Sequence, residues 1–232
     1  MEVSFSVVIP VFREQEYINA TIDHLKGLKG ACNAEIIVVD GDPCAGTLRY
    51  IIEKSVLKSV SPKGRGRQMN AGACVARGDI LLFLHADTRL PPAAFRRIAD
   101  LMTDQNCVGG FFDLKIDSPR LPYRFIERAA SVRTRLTRIP YGDQAVFLRR
   151  RYFSRIGMYK DIPIMEDVEL MRRIKREGGI LKAVGESVST SPRRWEQEGI
   201  LFCTMRNWWL IAAYMLGASS RKLAARYRDR KG

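Results

Sequence analysis

Asp79-Ile-Leu-Leu-Phe-Leu-His-Ala-Asp-Thr88 is the stretch on which the fold turns. Ile80 to Leu84 is wholly apolar, with Gly78-Asp79 before it and Pro91-Pro92 after it. A short apolar run between such breakers predicts a strand buried on both faces, as in a parallel sheet covered by helices. The run ends in His85, Ala86 and Asp87, which sets polar groups at the carboxyl edge of the strand. Open α/β sheets bind ligands at that edge. With the backbone extended, His85 and Asp87 point to one side. Asp87 is also readable as a cap for a helix opening near Pro91.

Upstream, Phe5 to Ile9 is a β-rich run stopped by Pro10, and Tyr17, Ile18, Ile22, Leu25 and Leu28 repeat at helical spacing. A second strand, Glu35 to Val39, runs into Asp40-Gly-Asp-Pro43, followed by a predicted helix over 47–57 and the loop Ser61 to Arg67. Gln68 to Arg77 reads as a small-residue helix closed by Gly78, and 92–102 as the helix after the central strand. Strand and helix thus alternate three times, the pattern of a parallel α/β sheet. Downstream the spacing predicts a strand over 108–116, a basic helix over 123–136 and a strand over 144–148. Ile164-Met-Glu-Asp167 opens a further helix, stopped by Gly178-Gly179. Short strands over 180–184 and 188–190 and a long helix over 196–216 complete the chain. The regular alternation ends after the first half, so the later part of the sheet is expected to be mixed.

The 232 residues suit one large domain or a domain with an appendage, and 46% hydrophobic content excludes disorder. A net charge of +14 points to an anionic partner: nucleic acid, a phosphorylated small molecule or an acidic membrane surface. Five scattered cysteines without paired spacing read as thiols in a reducing compartment, and two histidines exclude a His-rich metal site. No basic stretch precedes a signal-like core at Met1, so the expectation is a cytoplasmic protein.

Three acidic residues, Glu14, Asp40 and Asp87, follow strands and would meet at one crevice. Lys63-Gly-Arg-Gly-Arg67 adds charge and close backbone approach, with Arg65 and Arg67 suited to phosphate, or else it is a solvated basic loop. A carboxylate beside such a loop fits a diphosphate bound through Mg²⁺ or Mn²⁺. The loop lacks the Gly-Lys-Ser/Thr ending of a P-loop. Glu166 and Asp167 stand at a helix start, where Asp167 is either a general base for an acceptor hydroxyl or a structural carboxylate. Gly142, Asp143 and Gln144, with Arg194 and Trp195 further on, are candidate acceptor-side residues or simply turn and surface residues.

The motifs Ser6-Val-Val-Ile-Pro-Val-Phe-Arg-Glu14, Glu35-Ile-Ile-Val-Val-Asp-Gly41, Asn70-Ala-Gly72, Leu82-Phe-Leu-His-Ala-Asp87 and Met165-Glu-Asp167 resemble, in order and spacing, those of family 2 glycosyltransferases. The similarity covers about residues 4 to 180. Within the family, His85-Ala-Asp-Thr88, Gly64-Arg-Gly-Arg-Gln-Met-Asn70 and Arg193-Arg-Trp-Glu196 are similar to a bacterial subgroup associated with arsenosugar biosynthesis. The resemblance implies an α/β GT-A fold, a mostly parallel sheet flanked by helices. It implies a transferase domain over 1–192 (nucleotide-binding half 1–105, acceptor-side half 106–192) and a helical, basic carboxyl-terminal extension over 193–232. It also implies inverting transfer from a nucleoside diphosphate sugar, UDP favoured, to a hydroxyl. Pro10, Val11, Phe12, Glu14, Asp40 and Gly41 would then cradle the nucleoside, with Asp40 on the base. Arg67 would face the diphosphate or the base, Arg65, Asn70, His85 and Ala86 would complete the nucleotide-sugar site, Asp87 would bind the metal, Asp167 would act as base and Glu166 would support it. His85 stands where the family's first Asp of Asp-X-Asp is usual, which makes it a second candidate metal ligand and leaves Mn²⁺ against Mg²⁺ open.

Asn207-Trp-Trp-Leu-Ile-Ala-Ala-Tyr-Met-Leu216 is apolar on nearly every side but far short of the ~20 residues of a membrane span. With the basic tail behind it, residues 207–232 read as a peripheral contact on the inner membrane face, a dimer face or a core helix. A nucleic-acid-binding module and a nucleotidyltransferase are the rival readings. The first is disfavoured because the aromatics sit mostly in apolar runs, the second because no glycine loop follows the first strand.

Overall fold

Val7 and Ile9 look to one face of their strand and Val8 to the other, yet all three are fully buried. Such a strand must lie inside a sheet covered on both sides. The computed structural model describes residues 3–228. Its strands are β1 (Phe5–Val11), β2 (Ala34–Asp40), β3 (Leu57–Val60), β4 (Ile80–Phe83), β5 (Thr88–Arg89), β6 (Cys107–Ile116), β7 (Phe147–Arg149) and β8 (Ile180–Thr190). Its α-helices are α1 (Ile18–Lys26), α2 (Arg65–Val75), α3 (Ala94–Leu101), α4 (Leu121–Thr137), α5 (Arg150–Arg155), α6 (Glu166–Arg176), α7 (Arg193–Glu198), α8 (Ile200–Met215) and α9 (Ser220–Arg228).

The described strands form one sheet in the order β3-β2-β1-β4-β7-β6-β8-β5. β3, β2, β1 and β4 run parallel, as do β6 and β8, whereas β7 and β5 pair antiparallel with their neighbours. The later part of the sheet is therefore mixed, as expected. Ile80, Leu82 and Leu84 pack with Ile22 and Phe95 on one face, and Leu81 and Phe83 pack with Met69 and Met171 on the other. From β1 the chain proceeds to one side through β2 and β3, then returns to the other side at β4. This strand-order reversal opens a crevice at the carboxyl ends of β1 and β4. After β4, Thr88 and Arg89 pair with Thr190 and Ser189 at the end of β8, and the Ser191 amide donates to the Asp87 carbonyl at 3.2 Å. That pairing delivers the start of α7 to the same edge.

Several local expectations change. Residues 47–57 are not a helix: only Leu48–Tyr50 makes a 3₁₀ turn. The Asn19 side chain donates to the Tyr50 carbonyl (2.7 Å) and accepts from the Ile52 amide (3.2 Å), which holds the segment open and lets β3 join the sheet edge. The strands over 180–184 and 188–190 are one, β8, with a register shift against β6 absorbed near Gly185 at φ 80°. The helix over 196–216 breaks at Gly199 (φ 86°, ψ 135°) into α7 and α8. Gly142–Gln144 forms a 3₁₀ turn, so β7 starts at Phe147. α2 starts at Arg65, three residues earlier than the spacing predicts. All five cysteines are free.

α2 lies close on the sheet because Gly72 has no side chain: an added Cβ would collide with Val8 Cγ1 and lie 3.2 Å from Val39 Cγ2. Gly72→Ala is expected to lower stability by about 1–3 kcal/mol through overpacking against the strand, outweighing the ~1 kcal/mol by which alanine favours a helix interior. Urea unfolding of both proteins checks this; an unchanged or raised midpoint would mean that α2 sits farther from β1.

Candidate active site

At the end of β1, Arg13 adopts φ 60° and turns Pro10–Glu14 across the crevice. The Lys63 ammonium lies 3.7 Å from the Phe12 ring centre, a cation over an aromatic face. Buried Gln68 donates to the Val11 and Val39 carbonyls at 2.7 and 2.9 Å, bracing the ends of β1 and β2. Gly41 lies against it, where a Cβ would be 2.9 Å from Gln68 Oε1. Asp40 is wholly buried, and its carboxylate accepts from the Asp42 and Thr47 amides at 2.9 and 2.8 Å. It therefore shapes its own loop. Glu14 accepts from the Arg193 guanidinium at 3.2 and 3.4 Å. Burial raises its carboxyl, with Arg193 opposing.

At the end of β4 the chain does not stay extended. The Thr88 amide donates to the His85 carbonyl at 3.2 Å, a turn that sends the two side chains to different neighbours. The Ala86 carbonyl accepts from the Thr21 hydroxyl. His85 faces Gly142 and Asp167: a Cβ on Gly142 would lie 3.4 Å from His85 Nε2 and 3.5 Å from Asp167 Oδ2. Burial first, then the charges of Arg65 and Arg194, push its pKa down to about 3, so the imidazole is neutral at pH 7. Asp87 is half-buried and bears on Glu14 electrostatically. Among the described residues no group donates to the Asp87 side chain.

The second centre lies at the start of α6. Asp167 Oδ2 accepts from the Gly142 amide at 2.8 Å and Oδ1 from the Val168 amide at 2.7 Å. Glu166 beside it is 6% exposed. Its carboxyl is raised to about 7, by burial first and then by the Asp167 charge, with Arg65 opposing. Tyr159 packs between Phe83 and Phe153, and its phenol is raised by burial and by both carboxylates. Gln144 is fully buried, accepting from Arg133, Thr134 and the Tyr141 amide and donating to the Phe112 carbonyl. It fixes the 141–144 turn from behind. Asp143 keeps a buried Oδ1 without a donor, and burial raises its carboxyl against Arg133.

The basic residues sort clearly. Arg65, at the first turn of α2, acts on Glu14, His85, Asp143 and Glu166, so its charge is in the crevice. Arg67 lies outside it, paired in bidentate fashion with Asp161 at 2.5 and 2.7 Å on the surface. Asn70 is likewise committed elsewhere, exchanging hydrogen bonds with the Tyr159 backbone at 2.8 and 3.0 Å. Arg194 is exposed and its charge reaches His85 and Asp143. Trp195 packs edge-on against Tyr123 at 6.1 Å. Sequence reasoning missed Gln68 and Arg133; the latter's guanidinium stacks 3.2 Å from the Tyr141 ring centre. Neither carries a local signal, because their partners lie on other elements.

No three His, Cys, Asp or Glu side chains among the described residues converge as a metal cage. Asp87 fits the other common arrangement, one carboxylate sharing a cation with substrate phosphates and water.

A mostly parallel sheet, a crevice at its switch point and two acidic centres facing it define the GT-A class of nucleotide-sugar transferase folds. The chain belongs to glycosyl transferase family 2, whose family model matches residues 6–164. Among solved structures it is similar to S. aureus TarS 1–349 in complex with UDP-GlcNAc (TM-score 0.63, 15% identity, 81% of this chain and 58% of that one). It is also similar to the mannosyltransferase PcManGT from Pyrobaculum calidifontis in complex with GDP-Man and Mn²⁺ (TM-score 0.62, 16% identity, 82% of this chain and 57% of that one). The chain thus spans less than two thirds of either neighbour's length. No curated protein matches the sequence.

Because the folded carboxyl of Glu166 is raised from 4.5 to about 7, the fold holds this proton more tightly than the unfolded chain does. Its contribution to stability is complete below pH 4.5 and is lost as pH rises through about 7. Glu166→Gln keeps the neutral shape, so the stability of wild type relative to the variant is expected to fall over that window. Denaturant unfolding across the pH series checks it, and parallel curves for the two proteins would contradict the raised carboxyl.

Proposed function

We propose that the protein transfers a sugar from a nucleoside diphosphate sugar to an acceptor hydroxyl, with inversion at the anomeric carbon. The observation that carries this reading is the placement, across one switch-point crevice, of the undonated Asp87 carboxylate and the anchored Asp167 carboxylate. The donor would lie over Pro10–Glu14 and Asp87, with the Arg65 guanidinium opposing the diphosphate charge. Asp87 would hold Mn²⁺ or Mg²⁺. When bound, that ion supplies further positive charge to the leaving diphosphate.

Asp167 takes the acceptor proton from the opposite side of the sugar, its oxygens oriented by the Gly142 and Val168 amides. One displacement then breaks the anomeric bond to the diphosphate oxygen and forms the bond to the acceptor oxygen. The proton ends on Asp167 and the negative charge on the diphosphate. Glu166 supports Asp167 from a buried position beside it, and neutral His85 packs against the same Gly142 without adding charge. The TarS complex with UDP-GlcNAc supports a UDP-sugar, and the PcManGT complex with GDP-Man keeps guanosine as the second base to test. The narrower resemblance at His85–Thr88 supports a place in arsenosugar assembly, and five free thiols agree with a reducing, cytoplasmic setting.

Calorimetric titration of UDP and GDP, with and without Mn²⁺, is expected to show metal-dependent binding of one nucleotide that Asp87→Ala abolishes. Binding that needs neither the metal nor Asp87 would remove Asp87 from the site. Arg65→Ala is expected to weaken the same binding about tenfold or more, while Arg67→Ala leaves it nearly unchanged. Equal losses would return Arg67 to the diphosphate. Asp167→Asn is expected to bind nucleotide normally but to slow sugar transfer by about 10²–10⁴-fold; transfer at the wild-type rate would rule it out as the base.

A further inference from the structure

Helix α8 buries Cys203 and Leu210, yet Leu201, Met205 and Trp208 stand 78%, 67% and 55% exposed. These three lie at i, i+4 and i+7, one stripe of the helix, and exposed Leu216 continues it at i+15. α4 carries a second stripe: Leu121, Phe125, Val132 and Leu136, at i, i+4, i+11 and i+15, are all exposed. Exposed Arg128 and Arg135 fill the positions between them. The starts of the two helices border one groove of about 560 Å³, between Pro122 and Trp195, Ile200 and Leu201, where Trp195 packs on Tyr123. Large exposed apolar side chains flanking such a groove mark an interaction site.

The charge around the face is predominantly positive, with Glu196 at the groove as an exposed carboxylate among arginines and lysines. Arg221, Lys222 and Arg226 of α9 are exposed beside α8, with the Arg226 guanidinium 5.5 Å from the Trp209 ring centre. A second copy meeting this face across a two-fold axis would set arginine against arginine. No described helix is long and apolar enough to cross a membrane. We propose that the α4–α8 face docks on the surface of an anionic lipid bilayer. Lying flat, the Leu and Trp side chains enter the headgroup–acyl boundary and the flanking basic residues meet lipid phosphates. The contact is wider than the 207–232 segment expected from sequence, because it begins on α4. It also adjoins the crevice, since one turn of α7 sets Arg193 on Glu14 and Trp195 in the groove. A hydroxyl acceptor confined to that surface would enter from this side; this last clause rests on the transferase reading, the docking does not.

Flotation of the full chain with vesicles of phosphatidylcholine, alone or mixed with phosphatidylglycerol, tests the proposal. Binding is expected only with phosphatidylglycerol and is lost at high salt. Leu201→Ser with Trp208→Ser, and separately Arg221→Glu with Lys222→Glu, are each expected to weaken it about tenfold or more. The circular dichroism spectrum should stay unchanged in both. Binding to neither vesicle type, equal binding to both, or a concentration-dependent dimer that the Leu201/Trp208 variant dissolves would overturn it. Wild type that floats with anionic vesicles but binds no nucleotide would support docking and sink the transferase reading, so the two failures are distinct.

Discussion

The 2.8 Å hydrogen bond from the Gly142 amide to Asp167 joins the 141–144 turn to the start of α6, two parts of the chain far apart in sequence that share one apolar cluster. On one side the 141–144 turn is held by Gln144, whose side-chain oxygen accepts from α4 and the Tyr141 amide and whose nitrogen donates to β6. On the other, α6 starts against α2, where Gly66 lets the Lys160 carbonyl and Glu166 approach: an added Cβ would lie 3.1 Å from the first and 3.5 Å from Glu166 Cβ. Asn70 clamps the same 159–160 backbone. A carboxylate drawn partly out of water, as Asp167 is, gains from fixed donors. The packing behind Gly142 and Glu166 thus determines where Asp167 can stand, and the residues that never reach the crevice are what aim it.

Charge is divided across the crevice in a consistent way. The Glu14 and Arg193 pair closes one end, and Asp87 lies near it. At the other end Glu166 and Asp167 sit side by side, and burial together with the neighbouring charge raises Glu166. Arg65 stands between the two ends and acts on both. A diphosphate brought to this middle ground would meet a guanidinium without having to displace Asp167 from its amide donors.

The fold was legible because its signal is local. Strands buried on both faces show as unbroken apolar runs, and Ile80 to Leu84 could hardly belong to a half-exposed sheet. Asp87 and Asp167 were legible from their placement after a strand and at a helix start. What escaped depended on helix phase and distant pairing. With α2 beginning at Arg65, Arg65 and Arg67 stand roughly 200° apart around its axis, so only one can face the crevice. Reading the same residues as a loop hides that choice. Asn70 and Gln144 look like ligand-facing polar groups until their backbone partners, far along the chain, are known. The apolar run 207–216 could not say what covers it, since periodicity measures a face and not its neighbour.

His85 shows how one substitution in a motif fits the rest. Its ring approaches Gly142 closely, with Asp167 on the other flank of the same glycine. An aspartate there would place another negative charge beside a pair in which Glu166 is already raised toward neutrality by burial and by its neighbour. An imidazole kept neutral by burial and by two arginines fills the space without that repulsion. The 85–88 turn then carries the Asp87 carboxylate away from the acidic pair, toward Glu14. The separation of a neutral side chain at residue 85 from a carboxylate at residue 87 follows from one turn and one change of side chain.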